Sequence, residues 1–323
     1  MKAACIEQTG PPEVLKFGER PMPGPAAGEV LVKIAFTGVN FADINVRSGV
    51  NKVPLPAVPG MEAAGTIEKL GEGVTGFAPG DRVGYVMVRG SYAEYAAVPA
   101  RMLARIPEGT PLETAAAAML QGFTAHYLTE TTYPLKPGLT ALIHAGAGGT
   151  GRLLVQMASQ AGARVIATVG SEAKAAIARE AGASEVLLYE QQDWVAKVKQ
   201  LTAGVGVDVI YDSVGKTTFL KGLDCLKPRG MMVHFGVSSG QIEPLNTRAL
   251  TERGSLYLTR PTLLTHVSSP AEIAWRAGDV FRWIAEGKLK LRVEHEYPLA
   301  EAAQAHRDLE SRATAGKIIL RVK

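Results

Sequence analysis

The sequence predicts an α/β protein: a doubly wound parallel sheet, accompanied by a second unit rich in β-structure. Three observations predict it. A Gly146-x-Gly148-x-x-Gly151 turn joins a strand-like run to a helical one, strand-like and helical runs alternate from about residue 122 to Pro261, and residues 1–105 show only short β-like runs broken by turns.

Within residues 1–105 the runs 30–34, 63–69, 82–88 and 92–98 are separated by Pro-Gly, Gly-Glu-Gly and Pro-Gly-Asp segments, the punctuation of a β-rich unit. Thr110-Pro111-Leu112-Glu113 reads as a capping box with proline at the first helical position, opening a helix over 115–120. Strands are then expected at 141–144, 164–169, 185–189, 207–211, 230–235 and 255–259, with helices at 172–181, 194–201 and 217–226. A second capping box, Ser269-Pro270-Ala271-Glu272, opens a helix with Ile273, Ala277, Val280, Phe281 and Ile284 on one face. A last helix (300–311) and a strand (317–322) follow. This tail is too short to bury a core alone, so it is expected to return to the N-terminal unit, giving a discontinuous domain (1–122 and 262–323) around a nucleotide domain (123–261).

The glycine turn carries chemistry. Its first glycine permits the bend, the second lets backbone approach a pyrophosphate, and the third lets helix and strand pack closely; the helix N-terminus then offers N–H groups to an anion. A strand-like run at 164–169 follows at βαβ spacing, which raises this match above an accidental one among 35 glycines. A free ribose 2′-OH is usually met by Asp or Glu at the end of that second strand, but the sequence there is Thr168-Val169-Gly170-Ser171. Ser171 can cap the next helix, and Lys174 sits in its first turn, where the helix dipole disfavours a cation unless an anion is near. Lys174 is either a solvated surface lysine or a partner for a 2′-phosphate, and the second reading favours NADPH over NADH.

Composition excludes other classes. The formal charge of +4 is small for 323 residues and Lys and Arg are scattered, so a nucleic-acid partner is unmotivated. Cys5 and Cys225 lie far apart without CxxC spacing, which argues against a disulfide scaffold and a structural zinc. His126, His144, His234, His266, His295 and His306 form no metal spacing, and His144 reads as a core histidine. Neither a signal-peptide pattern nor ~18 uninterrupted apolar residues occurs, so no membrane association and a cytoplasmic location are expected.

Gly10-Pro11-Pro12-Glu13-Val14-Leu15, Gly38-Val39-Asn40-Phe41-Ala42-Asp43, Arg47-Ser48-Gly49, Pro79-Gly80-Asp81-Arg82-Val83, residues 144–151, Tyr211-Asp212-Ser213-Val214-Gly215 and residues 255–261 occur in an order that resembles the zinc-free, zeta-crystallin-like quinone oxidoreductases among the medium-chain dehydrogenase/reductases. The resemblance implies a Rossmann-type domain plus a GroES-like catalytic domain, NADPH as cofactor, a small quinone acceptor and a homodimer. It places Asn40 and Asp43 beside the nicotinamide, Gly148, Gly149 and Thr150 at the pyrophosphate, and Gly170, Ser171, Lys174, Tyr189 and Arg312 around the 2′-phosphate. It places Ser213, Phe235, Gly236, Ser238, Leu258 and Arg260 along the ribose and nicotinamide. Zinc-dependent members carry Gly-His-Glu where this chain has Gly60-Met61-Glu62. Departures fall at Asn45-Val46, where relatives have tyrosine two residues after the aspartate, and at Gln121, where some carry lysine; both bear on substrate fit.

Without a metal Lewis acid, charge growing on the acceptor oxygen must be met by hydrogen-bond donors or water. Asn40 and Gln121 are the candidate orienters and Arg260 the candidate cation, while Asp43 is either catalytic or bonded to local backbone. The same scaffold also reduces activated C=C bonds in enones and enoyl thioesters, and zeta-crystallin-like proteins include RNA-binding and lens structural members, so these remain the competing readings.

Overall fold

The computed structural model describes residues 1–311 and 314–322. In chain order the first elements are β1 (Lys2–Cys5), β2 (Lys16–Glu19), β3 (Glu29–Val39), α1 (Phe41–Ser48), β4 (Glu62–Leu70), β5 (Arg82–Val86), β6 (Tyr95–Pro99), β7 (Leu103–Arg105) and α2 (Leu112–Tyr127). Next come β8 (Thr140–His144), α3 (Gly149–Gln160), β9 (Arg164–Val169), α4 (Glu172–Glu180), β10 (Glu185–Leu188), α5 (Trp194–Leu201), β11 (Val207–Asp212), α6 (Phe219–Leu223), β12 (Leu226–His234), α7 (Arg248–Glu252) and β13 (Tyr257–Thr259). The chain closes with α8 (Pro270–Ala285), β14 (Val293–Pro298), α9 (Ala302–Ser311) and β15 (Lys317–Arg321). It divides into two units, Met1–Phe123 with His266–Lys323, and Thr124–Thr265.

In the first unit β3 is the spine. It alternates Val30, Val32 and Ile34 inward, pairs with β4 on one side and β15 on the other, and lies in a sheet of order β14-β15-β3-β4-β5-β7 with β6 also on β3. The C-terminal strand β15 pairs with β3, with Ile318 opposite Val39. Ala4, Ile6, Val39, Val46, Tyr92, Leu299 and Leu320 form one core cluster beneath it. The Ser269–Glu272 capping box is present, and Ile273, Ala277, Val280 and Phe281 are the buried face of α8.

In the second unit all six strands run parallel in the order β10-β9-β8-β11-β12-β13. Numbered from β8 that is 3-2-1-4-5-6, the doubly wound order, whose reversal between β8 and β11 puts ligands beyond the strands' carboxyl ends. Burial explains the apolar runs: β11 is buried at every position, and Leu142, Ile166, Val198, Ile210, Phe219 and Met232 pack in one core cluster.

Several expected boundaries move. The helix expected at 217–226 is confined to the short α6, because β12 begins at Leu226, where it pairs with Val207 of β11; Arg229 at positive φ and a register shift then absorb the Pro228-Arg229-Gly230 irregularity. The helix expected at 115–120 runs over Leu112–Tyr127, and its first bond, Ala115 N–H to the Pro111 carbonyl, starts it one residue past a Thr110 cap. Neither α1 nor β14 is among the expected elements.

Candidate active site

In the nucleotide-type unit β8 runs out at His144, and Ala145, at φ 53°, turns the chain. Gly146 N–H bonds back to the Thr168 carbonyl (3.1 Å) and Gly148 N–H to the Ala145 carbonyl (2.9 Å), so the turn is tied to β8 and β9 at once. Helix α3 then starts at Gly149 with Gly148 as its cap and no side chain capping it. That leaves first-turn N–H groups for an anion beside the partly exposed Gly149 and Thr150. A Cβ at Gly151 would lie 2.1 Å from the Ala145 carbonyl oxygen, so only glycine allows the helix to come this close.

At the end of β9, Ser171 caps α4 by accepting the Lys174 N–H (3.4 Å), and Lys174 occupies the first turn. Tyr189 N–H bonds to the Val169 carbonyl (3.2 Å), and a Cβ on Gly170 would lie 3.3 Å from the Tyr189 hydroxyl. Gly170, Ser171, Lys174 and Tyr189 are therefore gathered at two adjoining strand ends. Arg312 lies outside the described residues.

Asp212, which the sequence reading does not single out, shapes the next loop. Its buried carboxylate accepts Val214 N–H (2.7 Å), Gly215 N–H (3.0 Å) and the Thr218 hydroxyl (2.9 Å), while its carbonyl accepts Phe235 N–H (2.9 Å) and Gly236 N–H (3.3 Å). Ser238 N–H reaches the Ser213 carbonyl (3.1 Å), so Ser213, Phe235, Gly236 and Ser238 are brought together. Leu258 lies one strand further out, opposite Met232 on β13, with Arg260 just beyond it. His144 is a core histidine: its Nδ1 faces the Thr168 hydroxyl at 2.8 Å, and burial pulls its pKa down despite Asp212.

In the other unit the sequence places Asn40 at the cap of α1 and Asp43 three residues on, and the Asp43 carboxylate accepts the Asn40 backbone N–H (2.9 Å). Asp43 therefore does close a local backbone turn. Each end of the Asn40 side-chain amide is held by one bond as well: its nitrogen donates to Glu62 Oε1 (2.7 Å), and its oxygen accepts from Lys317 Nζ (2.8 Å), leaving its second N–H and second lone pair uncommitted by these bonds. Lys317 also pairs with Glu62, both nearly inaccessible to solvent. Glu62 Oε2 accepts the Leu120 N–H (2.6 Å) next to the partly exposed Gln121. Beneath this cluster, Tyr92 donates to Asp43 (3.2 Å) and its hydroxyl lies 3.0 Å from His306 Nε2. Burial pushes the Asp43 carboxyl up to about 7, against the Asn40 N–H and Lys317. Burial likewise pulls His306 down to about 3, with Arg47 acting in the same direction.

Residues 26–108 match a family described as alcohol dehydrogenase GroES-like domain, and residues 149–270 one described as zinc-binding dehydrogenase. The chain is 42% identical over 315 residues to quinone oxidoreductase 1 of Escherichia coli, covering 96% of each. The chain belongs to the quinone oxidoreductase family of the medium-chain dehydrogenase/reductases. A solved member, the E. coli quinone oxidoreductase complexed with NADPH, superposes with a TM-score of 0.97 at 41% identity, covering 99% of this chain and 100% of that one. The family also extends to 2-haloacrylate reductase of a Burkholderia species, 40% identical over 327 residues and 98% of each chain.

The residues present do not fit the zinc that one family description implies. Met61 stands where a histidine ligand would, Glu62 already accepts from an ammonium, an amide and a backbone N–H, and among the described residues no group of three or more His, Cys, Asp or Glu could hold a metal. A dinucleotide is another matter. The open α3 N-terminus and the close-packed Gly151 form the cradle its pyrophosphate needs.

Proposed function

We propose that this protein reduces small quinones with NADPH, without metal. The observation that carries the reading is full-length membership of the quinone oxidoreductases, one of which is solved with NADPH. Bound NADPH supplies a hydride from its reduced ring. Gly148, Gly149 and Thr150 would take the pyrophosphate on the α3 N-terminus, Gly170, Ser171, Lys174 and Tyr189 the 2′-phosphate together with Arg312, and Ser213, Phe235, Gly236, Ser238, Leu258 and Arg260 the ribose and nicotinamide. Residues 123–261 would serve as the Rossmann dinucleotide-binding domain, and residues 1–122 with 262–323 as the catalytic one. On the acceptor side Asn40 and Gln121 orient the quinone, Arg260 steadies charge growing on its oxygen, and water can protonate the product.

A panel of ortho- and para-quinones should accelerate NADPH oxidation by the purified protein, and a chelator should leave the rate unchanged. The Burkholderia relative supports a second reading, reduction of activated C=C bonds. Turnover with haloacrylates, enones or enoyl thioesters and none with any quinone would make that reading the right one. Lys174→Ala should raise the NADPH dissociation constant about 10–100-fold, the worth of one charge-assisted bond to the 2′-phosphate, and leave NADH binding unchanged. Fluorescence titration reads both, and equal weakening of the two coenzymes would move Lys174 out of the pocket.

The edge strand β13 exposes Tyr257 (56%) and Leu258 (38%), and an apolar edge invites pairing. A homodimer joined there, in the cytoplasm, completes the reading. Sedimentation should show a dimer that Tyr257→Asp converts to monomer; a monomeric parent would remove it.

A further inference from the structure

The buried cluster around Asn40 contains a cation of its own, the Lys317 ammonium. Glu62 of β4 and Lys317 of β15 are 255 residues apart in sequence, yet their side chains are 0% and 2% exposed and paired. Space is made for them: a Cβ on Gly38 would lie 2.1 Å from Glu62 Oε1 and 2.7 Å from Lys317 Cε. The pair is also the junction for both candidate acceptor-facing groups. An ammonium can only donate and a carboxylate only accept, so together they fix which way the Asn40 amide points, oxygen to Lys317 and nitrogen to Glu62. The other Glu62 oxygen pins the backbone of α2 at Leu120, immediately before Gln121.

We propose that Lys317 and Glu62 are positioning residues for quinone reduction, holding Asn40 and the α2 backbone at Gln121 in the arrangement that meets the acceptor. This rests on the reading of Asn40 and Gln121 as the acceptor-facing groups. Without the ammonium, Glu62 is a buried charge lacking its counter-ion; without both charges, the shape persists but nothing dictates the orientation of Asn40.

The test is the charge-neutral double variant Glu62→Gln/Lys317→Met, which avoids the folding failure that Lys317→Met alone invites, beside Lys317→Arg, which keeps the cation. Two readouts are taken: hydrogen exchange of the Asn40 side-chain amide by NMR, which needs no activity, and kcat with a quinone beside the NADPH dissociation constant. In the double variant the amide should exchange at least about tenfold faster. Its kcat should fall about a hundredfold, the cost of a misplaced orienting group, with NADPH binding within about threefold of the parent. Lys317→Arg should retain most of the parent's rate. An Asn40 amide as protected as the parent's, or a kcat within about twofold of it, overturns the proposal. If the parent itself oxidises no NADPH with any quinone, the functional reading fails instead, and amide exchange alone decides the positioning role.

Discussion

Gly151→Ala is expected to weaken NADPH binding about a hundredfold or more. The added Cβ would stand 2.1 Å from the Ala145 carbonyl oxygen and 2.9 Å from its carbon, and both atoms are backbone, so no rotamer change relieves the clash. The turn must open, which lifts the α3 N-terminus away from the phosphates. Overpacking of this kind costs about 1–3 kcal/mol or more in stability, and the misaligned cradle about a hundredfold or more in affinity. Gly278 is the control: it lies inside α8 with nothing near its Cβ position, so Gly278→Ala should be neutral or stabilising by about 0.5–1 kcal/mol. Titration of NADPH fluorescence together with thermal unfolding separates the two variants. If Gly151→Ala bound NADPH as the parent does, the pyrophosphate would have to lie elsewhere.

The second large effect is hidden in the wild-type chain because two slopes cancel. Asp43 has a folded pKa of about 7 against an ordinary 3.8, so between those pH values the folded state keeps a proton the unfolded chain has lost, and stability falls as pH rises. His306 has a folded pKa of about 3 against an ordinary 6.5, so the unfolded chain binds the extra proton, and stability falls as pH drops through that window. From about pH 4 to 6.5 the two oppose each other through the shared Tyr92 hydroxyl, with Glu62, Lys317 and Arg47 the charged groups around them. Asp43→Asn should unmask the histidine, losing about 3 kcal/mol as pH falls from 6.5 to 4, while His306→Gln should show the reverse trend, losing about as much as pH rises from 4 to 7. Urea unfolding at a series of pH values measures both. Parallel curves for the parent and the two variants would show that neither group titrates as its burial demands.

Much of this architecture is written locally. The six apolar runs and their intervening helices announce the parallel sheet, because strands buried on both faces must be apolar throughout, and the Gly-x-Gly-x-x-Gly turn and Ser171 cap are short-range devices whose spacing is their geometry. Other parts are not. Helix α1 is short and half polar, so its periodicity is weak, although Asn40 and Asp43 carry the cap-to-third-residue spacing that starts it. Strand β14 reads Val-Glu-His-Glu-Tyr-Pro, with too little apolar alternation to stand out. Asp212 acts through backbone N–H groups that no side-chain pattern reports. The pairing of Glu62 with Lys317 is beyond reach altogether: each alone is an ordinary charged residue, and only the return of β15 to β3 buries them together.

That return sets a timetable. Asn40 and Glu62 leave the ribosome early, then some 250 residues, including the whole parallel sheet, are made before the ammonium arrives on β15. During synthesis the inserted unit can fold around its own core while the carboxylate at position 62 still waits in water for its counter-charge. The inserted unit is thus finished before the ion pair that fixes the Asn40 amide can close.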